Sequence, residues 1–351
     1  MRFATFGCWN NSNNTKDENK PYFNDVIDTF NRLDKDSTDF VVVTGDNYYP
    51  KKIKTDKGKY SVFDDTHFSN GFNKLKSIEK QVYLLMGNHD LQYENWENPE
   101  EPKEPKEPKE PKELKETEET SLVNPDKCHI INKIITESNS IPNIDIKTKI
   151  FIEENNLFIF LNTNYFDTSI KMEDCNSIYE NEQEKQEEKG KTEQEEKQDE
   201  EGKMMEYIKK IKSDINKKIK SDNSNIQNVF IFGHHPIYAS KQKTTQTQNK
   251  IKSQQFNKHG IELIYDICSE FTTTRVYYIC ADVHQYQSST LEITKDNKTI
   301  TIPQYVVGTG GAKLDDCVAD NTVMNRKMYD EFGIKYTRND DCKTEYGYLS
   351  V

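Results

Sequence analysis

The stretch VVVTGDNYYP, which spans Val41–Pro50, indicates how the chain is organised. It begins as a β-branched run typical of a buried strand and ends at Gly45, Asp46 and Asn47. In α/β proteins, polar residues that follow a parallel strand lie at the carboxyl edge of the sheet, where ligands bind. The stretch therefore predicts a buried strand with Asp46 as a candidate metal ligand.

Three further stretches also combine a strand-like run with a polar end. They are QVYLLMGNHD (Gln81–Asp90), VFIFGHHPIYAS (Val229–Ser240) and RVYYICADVHQYQ (Arg275–Gln287). Each run is followed by Asn, Asp or His, which are common metal-ligating side chains. Because the pattern occurs four times, we expect these polar ends to meet in one metal-binding site.

The first part of the chain predicts a strand–helix–strand unit. Arg2–Phe6 has the composition of a short buried strand, and Asp39–Thr44 has that of a second one. Between them, apolar residues recur at helical spacing over Tyr22–Leu33. Such a unit implies a right-handed crossover and a parallel strand pair.

The same patterns predict the remaining elements. Helices are expected over Thr66–Ile78, Met204–Ile219 and Ile261–Cys268, and strands over Val82–Met86, Lys149–Glu153, Leu157–Asn162, Asn228–Phe232, Arg275–Cys280, Leu291–Thr294, Thr299–Val307 and Tyr346–Val351, with Lys51–Phe63 as a loop. This order predicts an α/β (α+β) fold in which two mixed sheets form a sandwich flanked by helices, αββα. We expect a single domain over residues 1–351.

Two low-complexity inserts interrupt this pattern. Residues 94–120 contain a Glu-Pro-Lys repeat that predicts an extended, solvated segment, and residues 180–203 predict a segment that is either helical or disordered. Each insert has eleven acidic residues and five lysines, and together they account for the net charge of −12. The rest of the chain is electrically balanced, so its charge predicts neither a nucleic-acid nor a membrane partner.

The seven cysteines show no close pairing such as C-x-x-C, and Cys268 and Cys280 lie in apolar surroundings typical of buried free thiols. Neither a secretory signal nor a transmembrane run is visible in the sequence. These observations predict a cytoplasmic protein in a reducing compartment.

The candidate functional residues are the polar side chains at the strand ends. They are Cys8, Asp46, Tyr49, Asn88, His89, His234, His235, Asp282 and His284. Four of the seven histidines of the chain belong to this set. That clustering favours a functional site over a series of unrelated structural histidines.

These blocks resemble those of the calcineurin-like metallophosphoesterases, and most of all the purple acid phosphatase branch. Its pattern is GDxG, GDxxY, GNH[DE], a GH before a Pro, and GHxH. The matching blocks here are Gly7-Cys8-Trp9-Asn10, Gly45-Asp46-Asn47-Tyr48-Tyr49, Gly87-Asn88-His89-Asp90, Gly233-His234-His235-Pro236 and Ala281-Asp282-Val283-His284. The second, third and fourth blocks are intact, whereas Cys8 and Asp282 depart from the pattern.

The resemblance implies two metal ions, such as iron with zinc, manganese or a second iron. Asp46 would bridge the two ions. One ion would be bound by Tyr49, His284 and Cys8, and the other by Asn88, His234 and Asp282. A Tyr49 phenolate favours a ferric ion and gives a charge-transfer colour.

The resemblance also implies roles around the metals. His89 would act as the acid or phosphate-binding group near the leaving oxygen. Independently of the resemblance, we expect Asp90 to orient His89, and Asn47 and His235 are candidates for supporting the site or contacting the substrate. A hydroxide bound to the metals would attack a phosphomonoester or phosphoanhydride, so the expected partner is a small phosphorylated substrate.

Three positions leave alternatives open. Cys8 is either a ligand or a small buried thiol, and Asp282 is either a ligand or a turn-forming carboxylate. His235 either lines the pocket or packs in the core. A second hypothesis is therefore a weakened pseudo-phosphatase that serves as a scaffold for a protein partner.

Overall fold

The computed structural model describes residues 1–11, 15–17, 20–55, 58–91, 128–146, 148–166, 193–222, 225–244, 249–318, 324–329, 332–339 and 342–351. The first predicted insert, residues 94–120, lies outside the described residues. Of the second insert, residues 180–203, only 193–203 are described, and they form the start of a helix.

The strands and helices are numbered here in chain order. The strands are β1 (Phe3–Phe6), β2 (Thr15–Asp17), β3 (Lys20–Pro21), β4 (Phe40–Val43), β5 (Lys51–Thr55), β6 (Gly58–Val62), β7 (Gln81–Leu84), β8 (Ile144–Asp145), β9 (Ile150–Glu153), β10 (Asn156–Phe160), β11 (Asn228–Phe232), β12 (Tyr238–Thr244), β13 (Asn249–Gln255), β14 (Arg275–Cys280), β15 (Tyr286–Lys295), β16 (Lys298–Val307), β17 (Met324–Tyr329), β18 (Phe332–Arg338) and β19 (Leu349–Ser350). The α-helices are α1 (Tyr22–Leu33), α2 (Asp65–Lys76), α3 (Asn88–Leu91), α4 (His129–Ser140), α5 (Glu193–Asp222) and α6 (Lys258–Glu270), and Lys35–Ser37 and Thr163–Tyr165 form 3-10 turns.

The first sheet has the strand order β19-β1-β4-β7-β8. Strands β1, β4, β7 and β8 run parallel, and β19 pairs antiparallel with β1. Phe3 lies opposite Phe40 in the register of β1 and β4. The predicted strand–helix–strand unit with a parallel pair is therefore confirmed, and α1 has the predicted bounds.

The second sheet has the order β17-β18-β15-β16-β14-β11-β10-β9. Its middle strands β16, β14, β11 and β10 are parallel, whereas the outer strands pair antiparallel. The strands predicted on either side of Asn155 and of Asp296 pair as the antiparallel hairpins β9–β10 and β15–β16. Parallel strands in both sheets place several strand ends on the same side of the molecule.

The two sheets pack face to face through a layer of aromatic rings. Phe3 of the first sheet meets Phe158, Phe230 and Phe232 of the second, with ring centroids 5.1–6.0 Å apart. Burial of each such ring contributes about 1.5–3 kcal/mol. The outer faces are covered by α1, α2 and α4 on the first sheet and by α5 and α6 on the second. The αββα sandwich predicted from the sequence is confirmed.

Two polar hairpins differ from the predictions. The segment predicted as a loop over Lys51–Phe63 instead forms the hairpin β5–β6. Hairpin β12–β13 has no counterpart among the predictions, because its sequence is rich in Lys, Gln, Ser and Thr. Such two-stranded ribbons are held mainly by backbone hydrogen bonds, and the apolar alternation that reveals core strands is missing.

Cysteine pairing also differs from the expectation. Cys268 and Cys280 are buried free thiols, as predicted. However, Cys317 and Cys342 form a disulfide across 25 residues, and Cys128 is disulfide-bonded as well. Cysteines that are distant in the sequence can pair when the fold brings their Cα atoms close together, and those of Cys317 and Cys342 lie 5.8 Å apart. The cytoplasmic location stays a prediction. Within the described ranges, each helix is too short or too polar to cross a bilayer.

Candidate metal centre

The candidate residues lie where strand ends of the two sheets meet. Backbone hydrogen bonds hold these ends together: Cys8 N donates to Gly45 O at 2.9 Å, and Ala281 N donates to His234 O at 2.8 Å. Across the two sheets, His234 Nδ1 lies 2.7 Å from Thr44 O. The sandwich therefore brings together the polar ends that sequence analysis predicted to meet.

Two glycines make this close approach possible. A Cβ atom on Gly45 would lie 2.5 Å from His234 Nδ1, and one on Gly87 would lie 2.2 Å from Asp46 Oδ1. Gly45 also has a φ of +91°, which side-chain-bearing residues rarely adopt. Both positions require glycine because any side chain would displace a candidate ligand.

The carboxylate of Asp46 is shared between two groups of side chains. Its Oδ2 atom accepts a hydrogen bond from Tyr49 OH at 2.6 Å and lies 3.8 Å from Cys8 Sγ. Its Oδ1 atom lies 3.3 Å from His234 Nε2 and accepts a hydrogen bond from His89 N at 3.0 Å. Asp46 is fully buried, so both oxygens face protein groups rather than solvent.

The first group consists of Cys8, Asp46, Tyr49 and His284. The possible ligand atoms of Cys8, Asp46 and His284 lie within 4.8 Å of one another. Tyr49 OH lies between the other members, 3.0 Å from His284 Nε2. A thiolate, a carboxylate, a phenolate and an imidazole together form a donor set that suits zinc or iron.

The second group lies around His234. Its Nε2 atom is 3.1 Å from Asn88 Oδ1 and 3.9 Å from Asp282 Oδ1. His234, His235 and Asp282 also place possible ligand atoms within 4.8 Å of one another. The structure therefore places Asp282 beside the residues with which the resemblance grouped it, and it adds His235.

Three candidate ligands have left-handed backbone conformations. The φ angles are 53° at Cys8, 53° at Asp46 and 60° at Asp282. Non-glycine residues in this region are uncommon and cost about 1–3 kcal/mol, and they cluster at functional sites. The two substituted positions, Cys8 and Asp282, thus share the strained geometry of Asp46.

Hydrogen bonds to carbonyl oxygens orient two of the imidazoles. His234 Nδ1 donates to Thr44 O at 2.7 Å, and His284 Nδ1 donates to Lys313 O at 2.8 Å. In both residues the Nε2 atom is therefore the one that faces the candidate ligands. This is the usual way in which a protein fixes the ring of a metal-binding histidine.

Asp46 and His234 interact as a buried ion pair. Burial alone would raise the pKa of Asp46, but the charges of His234 and His89 hold it well below its usual range. Burial alone would lower the pKa of His234, but Asp46 raises it to about 9. A proton on His234 Nε2 thus occupies the position that a cation would take.

Cys8 and Tyr49 are held neutral in this arrangement. Burial and the charge of Asp46 raise the pKa of both groups well above their usual values. A cation would reverse this effect, because metal binding displaces the proton of a ligating thiol or phenol.

The residues present fit a bound metal. Asp282 Oδ2 is buried and has no hydrogen-bond partner among the described residues. A buried carboxylate oxygen without a donor is costly unless a cation neutralises it. Together with the donor sets around Asp46, this unpaired oxygen supports a site built for cations.

Asn47 and Asp90 support the loops that carry the ligands. Asp90 accepts hydrogen bonds from Asn47 N at 2.8 Å, Asn47 Nδ2 at 2.8 Å and Gly87 N at 2.9 Å. Burial and the charge of Asp46 raise the pKa of Asp90 to about 7. The carboxylate of Asp90 therefore binds the backbones of Asn47 and Gly87, whereas the prediction had it orienting the His89 ring. The side chain of Asn47 is held in turn by Trp9, whose Nε1 donates a hydrogen bond to Asn47 Oδ1 at 3.1 Å.

His89 lies beside the first group without being part of it. Its half-buried ring packs against Tyr49, with the ring centroids 4.6 Å apart. Its Nδ1 atom is buried and has no hydrogen-bond partner in the described part of the chain. The ring is therefore close to the candidate ligands, and its Nδ1 atom is not committed to a hydrogen-bond partner among the described residues.

Thr163 is a supporting residue that sequence analysis missed. Its Oγ1 accepts hydrogen bonds from His234 N and His235 N, each at 3.0 Å, and lies 3.1 Å from His235 Nδ1. Because Oγ1 already accepts two bonds, its own proton points to His235 Nδ1. The sequence signal was present, because Thr163 and Asn164 follow β10 as a polar strand end.

Asp315 is a second missed residue, and no local sequence pattern marks it. Its Oδ2 accepts a hydrogen bond from His284 N at 2.9 Å and pairs with Lys241 Nζ at 2.8 Å. His284 O accepts a hydrogen bond from Asp315 N at 2.8 Å. The segment around Asp315 therefore fixes the position of His284.

Comparison with protein families agrees with this geometry. The model of the calcineurin-like phosphoesterases matches residues 1–286, which include all the candidate ligands. The chain belongs to the calcineurin-like phosphoesterase family. Comparison with curated proteins finds no significant match. Family membership supports hydrolysis of phosphoester bonds in general and the binding of metal ions.

Proposed function

We propose that this protein is a binuclear metal-dependent phosphatase of the purple acid phosphatase type that acts on phosphomonoesters or phosphoanhydrides. The observation that carries the proposal is the position of Asp46, whose two carboxylate oxygens face two different groups of candidate ligands. A bridging carboxylate of this kind is what two neighbouring cations require.

Each group would hold one metal ion. Cys8, Tyr49 and His284 would bind one ion, and Asn88, His234 and Asp282 would bind the other. Iron with zinc, manganese or a second iron fits these donors. When bound, such ions would activate a water molecule and neutralise charge on the phosphoryl oxygens.

The remaining residues would assist the reaction. His89 would hold a proton near the leaving oxygen and donate it as the ester bond breaks. Asp90 and Asn47 would keep the Asp46 and Asn88 loops in place, because they connect the two backbones. His235, which lies beside His234 and Asp282, would contact the phosphoryl group.

Elemental analysis tests the proposal directly. Protein purified without chelators should contain close to two metal ions per chain and should hydrolyse p-nitrophenyl phosphate or pyrophosphate. The Asp46→Asn variant should lose metal and hydrolysis together, whereas Asp36→Asn, at an exposed position, should retain both. One metal per chain with full activity would contradict the binuclear site.

The second candidate is a pseudo-phosphatase that acts as a scaffold for a protein partner. The departures at Cys8 and Asp282 favour it, because cysteine is a softer ligand than aspartate and the Asp282 side chain is shorter than an imidazole. Absence of metal from the folded protein, even after incubation with zinc, iron or manganese, would support this candidate over the enzyme.

A further inference from the structure

A cavity of about 440 Å³ lies at the end of the second sheet away from the candidate metal centre. It is bordered by Arg275 and Lys298, the first residues of β14 and β16. The metal centre lies beyond the other end of β14, where Asp282 follows shortly after Cys280. Arg275 and Cys280 are about 17 Å apart along the strand, so the cavity and the metal centre are separate.

The cavity coincides with a gap between two neighbouring strands of the sheet. Strand β14 pairs with β16 over Tyr278–Cys280. Over Arg275–Tyr277, the described partner of β14 is β11, and over Lys298–Pro303 the described partner of β16 is β15. Pro303 has no N–H group, so it cannot extend the ladder towards β14. The amino-terminal halves of the two strands therefore border an open cleft.

The charged residues that line this cleft are both positive. Arg275 and Lys298 are exposed, and neither forms an ion pair with another residue that the structure describes. The nearest acidic residues along the chain are the exposed Glu270 and Asp296, and neither lines the cleft. In a chain with a net charge of −12, the cleft thus offers two positive charges to an anion.

The inner lining of the cleft is apolar. Phe271, Val276 and Ile300 line it, and each is 9% exposed or less. The half-buried Tyr277 adds an aromatic ring. Cys268 also lines the cleft, and burial raises the pKa of its thiol to about 12, which keeps it uncharged. A ligand that matches the cleft therefore has an apolar body as well as a negative charge.

The backbone that carries the two cations is fixed by hydrogen bonds. Arg275 is the first residue of β14 that pairs with β11. Thr274 Oγ1 donates to Ile226 O at 3.2 Å, and Tyr265 OH donates to Lys298 O at 3.4 Å. The cleft therefore exists before a ligand binds, which lowers the entropic cost of binding.

We propose that this cleft is a second binding site, which takes a small organic anion with an apolar body. The anionic group would contact Arg275 and Lys298, and the apolar body would cover Phe271 and Ile300. The volume of about 440 Å³ falls within the roughly 300–1,000 Å³ of small-molecule sites. The inference goes beyond the proposed function and does not depend on it.

The dimensions of the cleft favour a small molecule over a peptide strand. Strand addition relies on a row of main-chain hydrogen bonds along an open edge. The edge of β14 that is open towards β16 covers only Arg275–Tyr277, which offers too few such bonds. Inorganic phosphate, in turn, would leave the apolar lining uncovered. An organic anion uses both the cations and the apolar residues.

The probe for this site is anilinonaphthalene sulfonate, an aromatic anion whose fluorescence rises in apolar surroundings. Fluorescence titration of the full chain gives its Kd. The double variant Arg275→Gln, Lys298→Gln removes both cations, and Arg275→Lys, Lys298→Arg retains them. The control Lys209→Gln, Lys220→Gln removes the same charge from exposed positions of α5. Circular dichroism and thermal unfolding confirm that each variant folds.

The double variant should raise the Kd of the probe about tenfold, because the sulfonate loses two nearby positive charges. The control and the charge-retaining variant should bind like the unaltered protein. The difference should shrink at about 1 M salt, where the screening length is about 3 Å. An equal Kd in the double variant and its control would overturn the inference.

The variant Thr301→Trp tests the apolar part of the cleft. Thr301 lines the cleft at an exposed position, so a larger side chain there would fill the space while both cations remain. It should abolish the binding of the sulfonate and of its uncharged relative N-phenylnaphthylamine. Ser213→Trp, at an exposed position of α5, is the control and should bind both. Unchanged binding in Thr301→Trp would place the probe elsewhere and contradict the inference.

The variant Asp46→Asn separates this inference from the proposed function. It changes the metal centre but not the cleft, so the Kd of the probe should stay the same. If Asp46→Asn abolishes probe binding, the probe binds at the metal centre, and the inference is wrong while the proposed function stands. If the unaltered protein hydrolyses no phosphoester, probe binding that depends on Arg275 and Lys298 still supports the second site.

Discussion

The hydroxyl of Tyr49 lies 2.6 Å from Oδ2 of Asp46, on the side of the carboxylate away from His234. This contact ties the phenol to one group of candidate ligands, while Oδ1 of the same carboxylate faces the other group. The two groups are thus coupled through a single side chain.

His89→Ala should lower the hydrolysis of p-nitrophenyl phosphate by about 10²- to 10⁴-fold, because the leaving oxygen would lose its proton donor. Metal content should not change, since the His89 ring is not among the proposed ligands. Steady-state kinetics and elemental analysis measure the two effects. His259→Ala, on α6, is the matched control and should keep full activity. Equal activity in both variants would exclude His89 from the reaction.

Cys8→Ser should remove the sulfur-to-metal charge-transfer absorption of the cobalt-substituted protein. A thiolate ligand gives cobalt a near-ultraviolet band that a hydroxyl cannot provide, and Cys8 Sγ lies 3.8 Å from Asp46 Oδ2. Absorption spectra during cobalt titration provide the measurement. Cys268→Ser, at a buried free thiol in α6, should leave the band unchanged. An unchanged band in Cys8→Ser would show that Cys8 is a buried thiol and not a ligand.

Asp90→Asn should lower the free energy of unfolding by about 3 kcal/mol, because an amide cannot accept all the hydrogen bonds that the carboxylate accepts from Asn47 and Gly87. Metal affinity should fall about 10- to 100-fold, since these bonds position the loops of Asp46 and Asn88. Urea unfolding and calorimetric metal titration measure the two losses. The exposed Asp36→Asn should show neither of them. Normal metal affinity in Asp90→Asn would mean that Asp90 supports folding alone.

The double variant Cys317→Ser, Cys342→Ser should lower the free energy of unfolding by about 3 kcal/mol, the amount expected for a loop of this length. It should also weaken cobalt binding, because Asp315 and Lys343 connect this segment to His284 and Tyr286. Thermal unfolding and cobalt titration provide the readouts, and Cys268→Ser is the control. If reducing agent leaves the unfolding temperature unchanged, the disulfide does not form in solution.

Local sequence patterns predicted most of the core elements. Strand β11 and strand β14 have the predicted bounds, and so does helix α1. These elements each bury one or both faces, so the spacing of their apolar residues shows which side chains face the core. The polar hairpins β5–β6 and β12–β13 differ because backbone hydrogen bonds, which leave no residue signature, hold their strands together.

The sequence by itself determined which residues stand at strand ends, because a buried strand that stops at a glycine or small residue is visible in the order of residue types. The sequence did not determine which of these residues contact one another in the folded protein. Only the packing of the two sheets brought Asp46 next to His234. The pairing of β10 with β11 placed Thr163 against His234 and His235, and the segment after β16 placed Asp315 against His284. Those contacts join residues far apart in the chain, and their distances depend on how the sheets and loops pack together.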